Sequence, residues 1–116
     1  MIPFGNRTVT LLHKAETGYE RHILTGCSWR TGNEKALSID AVIYTEQTTC
    51  RIPPKYPQPL PGDLLILGEV EAEAKREIEL LPLMDSLRKR GIRAFRVQSC
   101  ADNTGGPIPH YAATGA

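Results

Sequence analysis

Aromatic residues are scarce in this 116-residue chain, where one Trp, two Phe and four Tyr make up 6% of the sequence. So few large rings disfavour a helical bundle and suit a thin, strand-rich domain punctuated by 10 Gly and 9 Pro. Charge of one sign is lacking too. Fourteen Lys and Arg stand against thirteen Asp and Glu, a formal net charge of +1, which leaves no overall field to gather a nucleic acid or an anionic membrane. The three cysteines, Cys27, Cys50 and Cys100, are odd in number and far apart, with no CxxC pair or Cys/His cluster of metal-ligand spacing. They read as small buried or half-buried thiols in a reducing compartment, and neither metal nor cofactor is expected. The longest apolar run, Leu64 to Leu67, is far short of the ~20 residues a membrane-spanning helix needs. The opening MIPFGNRTV has neither a basic nor an apolar leader region, so the expectation is a soluble chain without a cleaved signal. The length fits one domain over residues 1–116, with roughly 6,300 Å² of folded surface against roughly 18,600 Å² unfolded.

What is present points to strands. Arg7 to His13 (RTVTLLH) follows a Gly5-Asn6 turn signal, and a second strand is expected over Tyr19 to Thr25, ending at Gly26. Trp29 follows as the expected core anchor. Arg30 to Leu37 (RTGNEKAL) reads as an exposed loop or long hairpin tip, with strands returning at Ser38 to Tyr44 and Thr48 to Ile52. Five prolines between Pro53 and Pro61 favour a segment that crosses a barrel end or covers an edge, with a recognition arm as the rival role. Pro61-Gly62-Asp63 is a turn, and Leu64 to Gly68 reads as a central strand buried on both faces. Glu69 to Glu79 divides evenly between an extended reading, from the period-two EVEAEA, and a helical one, from AEAKREIE. Pro82, Leu83, Met84 and Leu87 ahead of Arg88-Lys89-Arg90-Gly91 mark one short helix. Ile92 to Cys100 alternates as a strand, Asp102 to Pro107 is a turn, and His110 to Thr114 suits a closing edge strand. The fold class expected is mostly β, a small single-domain β-barrel or rolled antiparallel sheet with one short helix.

Few constellations carry chemistry. His13, His22 and His110 would meet only if the first hairpin and last strand were neighbours, and isolated strand histidines are the better reading. Cys27 has no helix N-terminus or strained turn to activate its thiol. No nucleophile, base and oxyanion set can be named, so an enzyme is the least expected class. The carboxylates Glu69, Glu71, Glu73, Glu77 and Glu79 read as a solvated face, and no glycine-rich phosphate loop is present. Arg88, Lys89, Arg90, Arg93 and Arg96 could form one positive face. An interface pairing with the acidic run is the favoured account, ahead of plain solvation and of a nucleic acid.

The order of LTGCSW with Gly26 and Trp29, Pro61-Gly62-Asp63 before an apolar strand, Asp102-Asn103, Gly105-Gly106 and His110-Tyr111 resembles small proteins encoded in prophage structural-gene clusters of Gram-positive bacteria. In two places the pattern departs from that family: Thr-Gly-Gly follows Asn103 in place of a basic pair, and Tyr111 stands where Trp is usual. The resemblance implies a non-enzymatic component of a tailed-phage particle, similar to head-tail connector and stopper proteins or a minor capsid protein. It also implies partners, namely other copies of the chain and neighbouring neck, capsid or tail proteins; no membrane is expected, and a nucleic acid is disfavoured. The location implied is the virion, and the host cytoplasm during assembly. Docking segments would then be Arg30 to Leu37 and Pro53 to Pro61, giving candidate interface residues Arg30, Asn33, Glu34, Lys35, Lys55 and Tyr56. The charged residues Glu71, Glu73, Arg88, Arg90 and Arg93 would set register between copies. The rivals are an adaptor that binds a partner through its proline-rich edge and a nucleic-acid-binding barrel.

Overall fold

Alternation along the chain sorts its apolar residues into two layers, one inside a barrel and one outside it. The computed structural model describes residues 5–37 and 42–115. Its elements are β1 (Arg7–Ala15), β2 (Gly18–Leu37), β3 (Val42–Ile52), β4 (Leu64–Leu67), α1 (Leu80–Lys89), β5 (Ala94–Asp102) and β6 (Tyr111–Gly115). The strands close into an antiparallel barrel in the order β1-β2-β3-β6-β5-β4, so the mostly β barrel with one short helix expected from the sequence is what the chain forms. Val9, Leu11, Leu24, Cys27, Cys50, Ile52, Leu65, Phe95, Val97 and Ala113 fill the interior. Outside, Leu12, Leu64 and Ile66 meet Ala72, Ala74 and the Leu80, Met84 and Leu87 stripe of α1. The run Leu64 to Ile66 is thus covered on both faces, which is why it lacks the polar alternation of its neighbours. Closure leaves it no more central than the others, and β6 is no edge, because it pairs with both β3 and β5.

Two strands serve both halves of the barrel. β2 pairs with β1 over Gly18 to Cys27 and with β3 from Ser28 onward; β5 pairs with β4 and then with β6. The corner in β2 is a bulge at Gly26, whose φ of +71° is open to glycine at little cost. Gly26 therefore bends one long strand and does not end it, correcting the expected boundary. Trp29 is corrected as well: it is half-buried, packing against Phe95 at 5.1 Å between ring centroids with the planes tilted by 60°, and Phe95 is the largest fully buried side chain.

The acidic stretch forms neither a strand nor a long helix. Residues 69–74 carry no regular element but alternate in burial as an extended run does, with Ala72 and Ala74 buried and Glu69, Glu71 and Glu73 exposed. Thr10, fully buried, pins this run by donating to the Gly68 carbonyl at 2.7 Å and accepting from the Val70 N–H at 3.0 Å. A 3₁₀ turn at Glu77–Glu79 then leads into α1. Its Glu79 carboxylate accepts from the Lys75 and Arg76 N–H groups, both at 2.7 Å, which hold its carboxyl below the usual range.

From Gly32 to Leu37, β2 pairs only with β3, and from Val42 to Gln47, β3 pairs only with β2. The segment expected as a loop or hairpin tip is therefore a two-stranded arm, reaching about 20 Å past the barrel at about 3.3 Å per residue. Residues 38–41 of the expected returning strand lie outside the described residues. The arm shows in the dimensions. The radius of gyration is 14.7 Å, against about 13.4 Å for a compact chain of this length. The exposed area is 7503 Å².

Candidate functional site

Trp29 sits at the root of the arm, and hollows open on both sides of it. On one side Trp29, Thr31 and Thr48 face the turn from α1 into β5, where Arg88, Gly91, Ile92, Arg93, Ala94 and Phe95 complete a hollow of about 620 Å³. Its floor is the Trp29 and Phe95 pair, and the Thr31 and Thr48 hydroxyls lie 3.1 Å apart at its rim. On the other side Asn6, Arg7, Ser28, Arg30, Thr49 and Arg51 surround a hollow of about 560 Å³. The Trp29 indole nitrogen is buried without a hydrogen-bond partner, although a buried indole N–H ordinarily finds one. Arg30 and Arg51 point outward because their neighbours Trp29, Cys50 and Ile52 point inward, and register places them diagonally across the β2–β3 pair.

The candidate residues named from the sequence fall in four places. Asn33, Glu34 and Lys35 lie on the arm, opposite Glu46, Thr45 and Tyr44. Arg88 and Arg93 share the larger hollow while Arg90 stands exposed nearby, and Arg96, on another side, pairs with Glu77 at 3.0 Å. The single positive face expected of the arginine-rich stretch is thereby divided. Glu71 and Glu73 stand on the extended acidic run. Tyr56 is turned inward: its hydroxyl oxygen accepts from the Thr25 N–H at 3.0 Å and shares a hydrogen bond with the Thr25 hydroxyl at 2.8 Å. Those bonds hold its phenol below the usual range, and Lys55 lies 5.1 Å over its ring. The proline-rich stretch is thus stapled to β2. Arg7 and Arg51 were missed from the sequence, because only the strand register brings them beside Arg30.

A polar cluster closes one end of the barrel. Asp63, fully buried, accepts from His13 Nδ1 at 2.6 Å, the Lys14 N–H at 3.1 Å and the Leu60 N–H at 2.9 Å. His13 and His22 meet edge to face at 6.2 Å, whereas His110 lies elsewhere, bonded to Ile108 and Asn103. Among the described residues, no group of three or more His, Cys, Asp or Glu is arranged to hold a metal ion. Cys50 is pushed well up by its hydrogen bond with Cys27 and by burial, and Cys100 is raised by burial, the opposite direction from the lowering that activates a cysteine. No described helix is long and apolar enough to cross a membrane.

No curated protein and no solved structure matches the chain. Residues 4–116 match the model of a group described as a Family of unknown function (DUF6751), and the chain belongs to that family.

Proposed function

We propose that this chain is a non-enzymatic structural subunit of a tailed-phage particle, at the head-tail joint or in the minor capsid, and that it assembles through its β2–β3 arm. The arm is the observation that supports the reading. An isolated two-stranded hairpin is marginal in water, and this one has backbone donors and acceptors free on both outer edges among the described residues. Its sequence turns apolar toward the tip, with Ala36 and Leu37 in register with Ile43 and Val42. Docking on a neighbouring protein would satisfy those edges by strand addition and cover the apolar tip. An adaptor reading through the proline-rich edge is less favoured, because Tyr56 commits that stretch to the barrel's own β2.

The test is incorporation. The chain is expressed with the products of its flanking genes, particles are purified on a gradient, and the chain is quantified by mass spectrometry. A parallel variant replaces residues 32–47 with a two-residue Asn-Gly turn. The wild-type chain is expected in the particles, and the shortened chain is expected to fold yet be lost from them. Absence of the wild-type chain from purified particles would overturn the phage role, and full incorporation of the shortened chain would overturn the role of the arm.

A further inference from the structure

The barrel carries an acidic ridge and a basic patch on different halves of its wall, and among the described residues neither is neutralised by an ion pair. The ridge is the extended run at residues 69–74. Its Ala72 and Ala74 press onto the outer layer at Leu12 and Leu64, so Glu69, Glu71 and Glu73 face solvent at every second residue. The patch is Arg7, Arg30 and Arg51 around the smaller hollow, on the outer face of the β2–β3 pair. The ridge covers β1 and β4, whereas Arg30 and Arg51 stand on the β2–β3 pair beyond the Gly26 bulge; Arg7, on β1 beside the Thr8 carbonyl that accepts from the Gly68 N–H, lies between the two. Among the described residues none of these six side chains forms an ion pair. Arg21, beside the ridge, donates to the Val70 carbonyl at 3.0 Å.

We infer that the acidic ridge of one copy docks on the Arg30 and Arg51 patch of a second copy, in a head-to-tail contact. The inference deepens the assembly reading and rests on it. Spacing supports the match. Glutamates two apart on an extended run are about 6.6 Å apart, and diagonal residues such as Arg30 and Arg51 are about 7–8 Å apart, so two carboxylates can meet two guanidiniums at once. A ridge-to-patch contact that repeats from copy to copy is heterologous, and it closes into a ring or extends as a filament. A nucleic acid would use the patch but leave the ridge without a role, and the net charge of +1 offers it no long-range attraction.

The experiment measures light-scattering mass across a concentration series at low salt for the full chain and two variants. One variant is Arg30→Glu with Arg51→Glu; the other is Glu69→Lys, Glu71→Lys and Glu73→Lys. Circular dichroism checks that both fold. Wild type is expected to associate, each variant to associate about tenfold or more weakly, and an equimolar mixture of the two to recover, since each then offers the other a complementary face. A wild-type mass of one chain at every concentration, unaltered association of either folded variant, or failure of the mixture to recover would each overturn the docking. So would salt-dependent binding of a labelled DNA duplex that Arg30→Glu with Arg51→Glu abolishes while leaving association intact, which would assign the patch to nucleic acid. Normal entry of the variants into particles would overturn self-docking alone, whereas absence of the wild-type chain from particles would remove the phage reading beneath it.

Discussion

At the scale of single residues, the glycine with least room for a side chain is Gly115, where β6 pairs with β5. A Cβ on Gly115 would fall on the Arg96 carbonyl oxygen and lie 2.7 Å from Phe95 Cδ2, neither of which can move without shifting the strand or the largest core ring. Gly115→Ala is therefore expected to destabilise by about 3 kcal/mol, the upper part of the range for overpacked cores. That corresponds to a fall in Tm of about 12 °C at roughly 4 °C per kcal/mol for a domain of this size. A melting curve unchanged within error would show that the two strands do not touch there. Asp63 is critical for the opposite reason, since it is filled with partners. Asp63→Ala strips the acceptor from two backbone N–H groups and His13, and such buried charge-assisted networks cost about 3 kcal/mol to break. Thermal denaturation of Asp63→Ala and Asp63→Asn would check it, with the Asn variant expected to recover part of the loss because its amide still offers one acceptor oxygen.

At the scale of elements, α1 ends where its sequence says it must. Gly91, at φ +75°, lets the Ile92 N–H reach the Leu87 carbonyl at 2.9 Å and its own N–H reach Arg88 at 3.0 Å, while Ile92 packs into the same outer layer as Leu87. Nothing lies within 4 Å of a Cβ built there, so the cost of Gly91→Ala is backbone strain alone, about 1 kcal/mol, read as a small shift in denaturant midpoint at constant slope. This element was legible because a helix stop has a local chemistry. The strands of β1, β4 and β5 were legible for the same kind of reason, their period of two or their continuous apolar run. Gly26 was not, since a glycine that ends a strand and one that bulges it look alike until the partner strand is known. The arm was half legible: polar Gly32-Asn33 reads as a loop unless the pairing with Gln47 and Glu46 is seen. The Arg7, Arg30 and Arg51 patch was illegible altogether, being assembled by register between three strands, whereas the consecutive arginines of the α1–β5 stretch suggested a single face that the fold divides between two sides.

At the scale of the whole molecule, the two proposed modes of contact respond differently to salt, which separates them. Ridge-to-patch docking is a contact between exposed charges, screened over a Debye length of about 10 Å at about 0.1 M salt and about 3 Å at 1 M. Docking through the arm is a matter of backbone hydrogen bonds and apolar area, which salt leaves alone and sulfate strengthens. Association measured by light scattering is therefore expected to weaken steadily as sodium chloride rises from about 0.05 to about 0.5 M. The variant lacking residues 32–47 should show the same slope at lower absolute affinity if both contacts join the same neighbours. A flat or rising dependence in the wild-type chain would mean that the arm alone holds copies together. The charged faces would then be serving solubility, which a chain of net charge +1 must obtain from local charge, because its overall charge supplies almost none.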